Sequence, residues 1–480
     1  MRSPCGRTGR RVVGLIGFAI ALSGGASSPT AAAAARPLTR GFVDSTYQEP
    51  PAVRQPWLDR TVVVGGRVVL LSASWAGIAP ASPRSDFRPS DPSDPQYRWE
   101  GLDGAVRDAA SRGLTVALSV TQAPTWAEGA GRPADAPAGT WRPSSSAFGA
   151  FAAAIARRYS GTTVDASGAT LPRVRNWQAW GEPNLSVRLG PQWMRQGSRL
   201  QPASPAIYRS LLNAFYGGVK GVHADNQVIT AGTAPYGDPR PGGARMMPAL
   251  FVRTLLCVGA GRRPRPQPCS GPAHFDALAH DPYSVGSPSR RAINPDDVSV
   301  PDLAKLTKPL RVAERSGRAL PRARKRLWVT ELSWDSNPPD PQGVPVATQA
   351  LWLEEAFYVL WRQGVDTITW YNVRDQAPIP DYGSTYQSGV YLRDGTPKPS
   401  ARAYRFPLVL ERARKGVRVW GMSPASGVVS IQRRKGRRWV GAARFRGRAG
   451  ATFFKTLRLP RKVTARAVIS GQSSLSFTLR

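Results

Sequence analysis

The stretch VRNWQAWGEPN, residues 174–184, joins a run of strand-forming residues to a single carboxylate. Trp177 and Trp180 belong to this run, and Glu182 stands at its carboxyl end, directly before Pro183, which has no N–H for further strand pairing. In a parallel barrel, residues at the carboxyl ends of the strands line the functional site. A Glu among indoles at this place therefore indicates a chemical role, provided that the chain repeats the strand-and-helix unit.

Seven other segments have the same strand character, and amphipathic or apolar helical stretches separate them. These segments are GFVDSTY (41–47), VVLLSASWAGI (68–78), LTVALSVTQAPTWA (114–127), QVITAGTAPYG (227–237), FDALAHDPYS (275–284), RLWVTELSWDS (326–336) and VDTITWYNVRD (365–375). Repeated strand–helix units require parallel strands with right-handed crossovers, and eight of them close into a barrel. We therefore predict an α/β fold, a (β/α)8 TIM barrel over residues 37–405.

A doubly wound open sheet is the main competing architecture. Such sheets usually carry a glycine-rich phosphate-binding turn after the first strand, and GFVDSTYQEP (41–50) has no such turn. The comparison favours the barrel.

The pattern changes near Pro407, where short alternating strands split by Gly and Pro replace the strand–helix repeat. We predict a small antiparallel β-sandwich domain over residues 406–480. The net charge of the chain is +35, and the segment from Arg405 to the end holds 19 Lys and Arg against the single acid Glu411. An anionic polysaccharide or cell surface is a candidate partner for this domain. A merely solvated Arg-rich surface is the alternative, and no nucleic-acid-binding motif is visible.

The first 36 residues have the plan of a secretory signal peptide: a basic start, a short apolar run, then small residues. We expect cleavage near residues 33–35 and a secreted protein that is not integral to a membrane; an uncleaved anchor is the alternative.

Export agrees with a disulfide between Cys257 and Cys269, with two free thiols as the other interpretation. The pair lacks the His partners of a zinc site, so we expect no metal.

The predicted strand ends bring two carboxylates, Glu182 and Glu331, to the fourth and seventh strands, together with many aromatic side chains. Two facing carboxylates in an aromatic cleft suit glycoside hydrolysis, in which one gives a proton and the other attacks the sugar or activates water. This chemistry requires no cofactor. A Ser–His–Asp site is poorly supported, because the chain has three His and no Gly-x-Ser-x-Gly motif. The candidate carbohydrate-binding residues at the same ends are Trp75, Trp126, Asn184, His280, Tyr283, Trp334 and Trp370.

Four of these segments, in this order, resemble the motifs of clan A retaining glycoside hydrolases. WQAWGEPN (177–184) resembles the acid/base motif, AHDPYS (279–284) the sixth-strand His-x-Tyr region, LWVTELSW (327–334) the nucleophile motif, and ITWYN (368–372) the eighth-strand Trp region. The likeness covers about residues 41–400 and is closest to β-xylosidase-like family 39 and to bacterial cellulase-like family 5 proteins.

The resemblance implies specific roles. Glu182 would be the acid/base and Glu331 the nucleophile, with their carboxyls about 5–5.5 Å apart. Tyr283 would hold the nucleophile ionised, His280 would orient the sugar or the acid/base, and Trp370 would form the floor under the reacting sugar. The implied activity is hydrolysis of β-glycosidic bonds in a polysaccharide or oligosaccharide.

One departure from the family pattern concerns the residue before the acid/base. The family usually has an Asn there, which contacts the sugar 2-hydroxyl, whereas this chain has Gly181. The alternatives are accordingly a catalytically weak, glycan-binding barrel and a structural protein of the cell envelope held by its basic domain.

Overall fold

The computed structural model describes residues 35–165 and 167–480. The predicted signal segment, residues 1–36, lies outside the described residues except for its last two positions. Arg36 donates to the backbone carbonyls of Val365 and Trp361 and lies 3.5 Å from a carboxylate oxygen of Asp366.

Eight parallel strands close into a barrel, which confirms the predicted fold class. They are Thr39–Val43 (β1), Val68–Ser74 (β2), Thr115–Thr121 (β3), Asn176–Ala179 (β4), Gln227–Thr230 (β5), Ala277–His280 (β6), Arg326–Val329 (β7) and Thr367–Tyr371 (β8). Each strand pairs with its neighbours in the chain, and β1 closes the ring against β8 in register from Thr39 with Thr367 to Val43 with Tyr371.

Helices follow the strands and form the outer layer. The α-helices are Pro51–Val64 (α1), Trp75–Ile78 (α2), Glu100–Ser111 (α3), Ser145–Arg158 (α4), Ser204–Val222 (α5), Pro248–Leu255 (α6), Ala304–Ser316 (α7), Val346–Arg362 (α8) and Pro399–Arg405 (α9). Short 3-10 helices lie at Ser45–Gln48, Thr125–Ala127, Val300–Asp302 and Tyr382–Ser384. In α4, Ser144 caps the first turn by accepting from the Ala147 N–H, and the apolar side chains Phe148, Phe151 and Ile155 recur at helical spacing and are buried.

Alternation along the strands divides the apolar residues into two cores. Val68, Leu70, Ala277 and Ala279 belong to a small cluster inside the barrel. Their neighbours in sequence, Val69 among them, point outward into the large core between the strands and the helices. The phase of each strand therefore decides which residues can reach the mouth of the barrel.

The loops contain three short two-stranded sheets: Trp193–Gln196 with Arg199–Pro202, Ala273–His274 with Ala319–Leu320, and Ser336–Asn337 with Val344–Pro345. The predicted disulfide is present between Cys257 and Cys269, in the segment after α6. Among the described residues, no helix combines the length and the apolar character needed to span a bilayer.

Beyond α9 the chain forms two antiparallel sheets, as predicted for the C-terminal part. The strands are Leu408–Ala413 (β9), Gly416–Met422 (β10), Gly427–Lys435 (β11), Arg438–Gly447 (β12), Thr452–Leu457 (β13), Val463–Ile469 (β14), Gln472–Ser473 (β15) and Phe477–Leu479 (β16). One sheet has the order β9-β10-β13, and the other has the order β12-β11-β14-β15 with β16 paired to β14. Trp420 of β10 is fully buried and packs against Tyr358 and Trp361 of α8. The first sheet therefore shares a core with the barrel.

Candidate active site

A cavity of about 380 Å³ opens at the carboxyl ends of the barrel strands. Glu182 after β4, Asp281 after β6 and Glu331 after β7 all line it. The floor includes Gln178 and Thr330, whose side chains are joined by a 3.2 Å hydrogen bond across the barrel. The structure thus brings the two predicted carboxylates together and adds a third.

Glu182 lies on an unusual backbone turn. Its φ of 40° and the φ of 74° at Trp180 are in the left-handed region, which is unfavourable for residues other than glycine. The Trp180 N–H donates to the Val120 carbonyl at 2.8 Å, and the Glu182 N–H donates to the Gly232 carbonyl at 3.0 Å. Neighbouring strands therefore hold this turn in place and aim the carboxylate into the cavity. Such strained positions cluster at functional sites.

Asn184 fixes the same loop from behind. Its amide nitrogen donates to the carbonyls of Ala234 and Met246, and its amide oxygen accepts from the Ala234 N–H at 2.9 Å. The side chain is fully buried. This corrects the expectation that Asn184 binds substrate, because its side-chain amide makes its hydrogen bonds to backbone groups. It is a positioning residue for the loop that carries Glu182.

Glu331 follows β7 and lies half-buried at the cavity wall. The Tyr283 hydroxyl donates to its Oε2 at 3.2 Å, the contact that the sequence predicts. Burial, reinforced by the nearby Glu182, raises the pKa of Glu331 to about 7, and the bond from Tyr283 and the charge of Arg188 oppose this rise. Tyr283 therefore favours the ionised form that a nucleophile needs.

Asp281 is a third carboxyl in the cavity, and the sequence analysis did not single it out. Its Oδ1 accepts from the Thr330 hydroxyl at 2.6 Å and from the Glu331 N–H at 2.8 Å. A Cβ on Gly232 would lie 2.1 Å from Oδ2, so the carboxyl needs glycine at that position. Burial, with Glu331 and Glu182 nearby, raises the pKa of Asp281 well above that of an ordinary carboxyl. Alternation from Ala277 through Ala279 places Asp281 inward, a signal that could have identified it.

Arg188 is a cation among the residues that line the cavity, and it lies beside Glu182. Its Nε is 3.9 Å from Glu182 Oε2, and its side chain is 61% exposed. The indole N–H of Trp180 donates to the Arg188 carbonyl at 3.0 Å and so ties the loop back to the strand. Burial raises the pKa of Glu182, and the positive charge of Arg188 opposes this rise.

Several predicted substrate-binding aromatics lie in the outer core instead. Trp75 is buried and stacks on Phe151. Trp370 is also buried, and its indole donates to the Ser388 carbonyl at 2.8 Å. The strand phase of β8 points Trp370 outward, and Trp75, the first residue of α2, packs in the same core between the strands and the helices. The prediction that Trp75 and Trp370 line the cavity is therefore corrected.

The remaining predicted residues also have structural partners. Trp334 is buried and donates to the carbonyls of Ser284 and Gly286. His280 is buried between the Thr233 hydroxyl and the Val298 carbonyl, and burial lowers its pKa to about 4. Neither residue lines the cavity. Trp126 is half-buried, donates to the Pro80 carbonyl and packs edge-on against Trp75, so it also lies outside the cavity wall.

Tyr371 and Tyr386 supply aromatic surface close to the carboxylates. Tyr371 ends β8 in the inward phase, next to the outward Trp370, and its ring meets that of Tyr386 edge-on at 4.8 Å. Tyr386 is 42% exposed. Burial raises the pKa of both phenols, and the negative charge of Glu331 adds to this rise. Strand phase could have identified Tyr371, whereas Tyr386 comes from a loop with no such signal.

Gly181 leaves room next to Glu182. A Cβ built on it would meet only Thr121 Cγ2, at 3.4 Å, which is ordinary contact. Packing therefore does not require a glycine here, because a Cβ at this position fits beside its neighbours.

The comparisons agree on the fold. No protein-family model and no curated protein matches the sequence. A family 39 glycoside hydrolase from Bacteroides cellulosilyticus WH2 is similar, with 16% identity, coverage of 88% of this chain and 81% of that chain, and a TM-score of 0.53. A glucosidase from Croceicoccus marinus shares 14% identity over 86% and 82% of the chains, with a TM-score of 0.49. A GH5_18 structure from Streptomyces cattleya shares 16% over 80% and 84%, with 0.46. The family 39 structure confirms the barrel fold that the resemblance of the motifs implies.

Proposed function

We propose that the protein is a secreted glycoside hydrolase that cleaves β-glycosidic bonds by a retaining mechanism, with Glu182 as acid/base and Glu331 as nucleophile. The observation that carries the proposal is the shared cavity, which the two carboxyls line from the ends of β4 and β7, with Tyr283 donating to Glu331. The reaction is assigned to the barrel, residues 37–405, with residues 406–480 as an accessory part.

In the first step, a carboxylate oxygen of Glu331 forms a bond to the anomeric carbon while Glu182 gives its proton to the departing glycosidic oxygen. In the second step, water attacks the same carbon as Glu182 takes up its proton, and Glu331 leaves as a carboxylate. The reaction therefore needs one proton on the carboxyl pair, held by Glu182 while Glu331 is ionised. Burial raises the pKa of both carboxyls, and the charge of Glu182 adds to the rise at Glu331.

The proposed site of action is extracellular. The signal-like segment at residues 1–36 supports export, and the Cys257–Cys269 disulfide agrees with an oxidising compartment. Amino-terminal sequencing of the protein from culture medium should find a mature start near residues 33–36. Recovery of the whole chain only from the cell would contradict the proposal.

The enzymatic proposal is tested with a panel of aryl β-glycosides and a mechanism-based 2-fluoro glycoside. We expect turnover of at least one glycoside and a covalent sugar adduct on Glu331, located by peptide mass spectrometry. Glu331→Gln and Glu182→Gln should each lower kcat/KM by about 100-fold or more. Glu100→Gln, an exposed carboxylate on α3, is the matched control and should keep full activity.

A glycan-binding barrel without catalysis is the second candidate function, favoured by Gly181 in place of the expected Asn. Binding of oligosaccharides with no turnover on any sugar, and no adduct on Glu331, would replace the enzymatic proposal with this one.

A further inference from the structure

The outer face of the five-stranded C-terminal sheet carries a group of arginines, Arg434, Arg444, Arg446 and Arg466, called here the arginine face. The register places them on one side: Arg446 opposite Val428, Arg444 opposite Ser430, Arg466 opposite Gln432 and Arg434 opposite Trp439. The other side of the same strands holds buried apolar residues, including Val429, Ile431 and Ala467. Three of the four arginines are exposed, and Arg466 is half-buried.

The charge of the arginine face has no compensation within the described structure. None of its four guanidiniums lies within ion-pair distance of a described carboxylate. Glu411 is the single acidic side chain of residues 406–480, and it is already bound by Arg362, Arg418 and the Tyr358 hydroxyl at the contact with α8. Like charges on one face repel each other, and a polyanion laid over them would relieve the repulsion.

Arg466 is held in a fixed orientation. Its guanidinium carbon lies 4.5 Å from the ring centroid of Trp439, and its Nε donates to Gln432 Oε1 at 2.8 Å. The two terminal nitrogens have no hydrogen-bond partner among the described residues. A guanidinium restrained in this way loses little entropy on binding, and its terminal nitrogens match the two oxygens of a carboxylate.

We propose that the arginine face binds a carboxylate-bearing polysaccharide, with Arg466 as its oriented cation. The surface itself is independent of the proposed enzymatic activity, but the choice of a glycan as partner rests on it. A membrane is disfavoured because the face has no projecting aromatic: Trp439 is half-buried under Arg466, and Val428 is the exposed apolar side chain nearby. Single-stranded nucleic acid is disfavoured because Arg466 covers a face of the aromatic ring on which a base would stack.

The test measures binding of the full chain to polygalacturonate at low and moderate salt. The wild type should bind, more weakly as salt rises. The variant R434Q/R444Q/R446Q/R466Q should lose at least about tenfold in affinity. The matched control R414Q/K415Q/R458Q/R461Q removes the same charge from exposed positions outside the face and should stay within about twofold.

Equal losses in both quadruple variants would overturn the proposal in favour of diffuse charge. Absence of polygalacturonate binding by the wild type, or tighter binding of DNA or of phosphatidylserine vesicles, would overturn the choice of partner. If the first variant does not fold, R466K serves instead: it keeps the charge but loses the two-pronged contact, and unchanged affinity would remove the role given to Arg466. E331Q should bind polygalacturonate as the wild type does, which separates this result from any failure of the enzymatic proposal.

Discussion

At the scale of single residues, the main feature of the cavity is that three carboxyl groups lie close together in it. Glu182, Asp281 and Glu331 share one partly dry space, and burial raises the pKa of all three. Burial raises the pKa of Asp281, and the neighbouring charges of Glu331 and Glu182 raise it further. Tyr283 lowers the pKa of Glu331, and Arg188 lowers the pKa of both Glu182 and Glu331.

Tyr283→Phe should move the acid limb of the kcat/KM profile to higher pH. The tyrosine hydroxyl stabilises ionised Glu331, so its removal raises the pKa of that carboxyl, and a higher pH is then needed to form the nucleophile. We expect a loss of about tenfold or more below pH 7 and a smaller loss above it. A uniform loss at every pH would contradict this role.

Arg188→Gln should also move the pH profile of kcat/KM to higher pH, chiefly at its alkaline limb. The positive charge lowers the pKa of Glu182, so without it the general acid stays protonated to higher pH. Arg188 also lowers the pKa of Glu331, so the acid limb follows. Arg195→Gln, an exposed arginine on the neighbouring hairpin, should leave the profile unchanged. An alkaline limb that falls to lower pH would be incompatible with this assignment.

Gly181→Asn should raise kcat/KM on substrates with a free 2-hydroxyl by about tenfold, the worth of one well-placed hydrogen bond. A Cβ at position 181 would make only an ordinary contact with Thr121. Gly181→Ala adds bulk without the amide and should give no gain. If both variants lose activity equally, the space is needed by the substrate itself.

At the scale of elements, strand phase explains which part of the site could be predicted. The repeat of strands and helices predicts the barrel, and the position of Glu182 and Glu331 at strand ends predicts that they reach its mouth. The inward residue at such an end was harder to choose: Trp370 was expected where Tyr371 points inward, and His280 where Asp281 does. Arg188 and Tyr386 come from loops, whose course depends on tertiary contacts that a sequence pattern does not carry.

The loop after β4 carries Glu182, the proposed acid/base, and the hydrogen bonds of Asn184 hold this loop in place. Asn184→Ala should lower the free energy of unfolding by roughly 2–4 kcal/mol, because it leaves three buried backbone groups without partners. Chemical denaturation measures this change. Val187→Ala, exposed on the same loop, should change stability by less than about 0.5 kcal/mol. Equal effects from both would show that the Asn184 contacts contribute little.

At the scale of the whole molecule, the C-terminal sheets and the barrel are joined by a common core. Trp420 is fully buried against α8, and Phe454 packs on Trp361 at 5.3 Å. Removal of residues 406–480 would therefore expose Tyr358 and Trp361, and a loss of function after such a deletion would not separate binding from folding. Surface variants of the intact chain avoid this difficulty.

Trp420→Ala should destabilise the protein by about 3–5 kcal/mol, the usual range for a large buried aromatic. Because the indole belongs to both parts, we expect a single calorimetric transition that moves to lower temperature. Trp439→Ala, on the outer face and half-exposed, is the matched control and should cost about 1 kcal/mol. Two separate transitions, with only one of them shifted, would contradict the shared core.

The single carboxylate of the C-terminal part, Glu411, has one further consequence. Residues 406–480 contain no His, Tyr, Cys or Asp, so apart from Glu411 their side-chain charge comes from Arg and Lys alone. As residue types, Arg and Lys have reference pKa values far above neutrality. This part of the molecule therefore behaves like a strong ion exchanger rather than a weak one. We therefore expect the acidic polymer proposed as its partner to be released by dissolved salt rather than by a fall in pH.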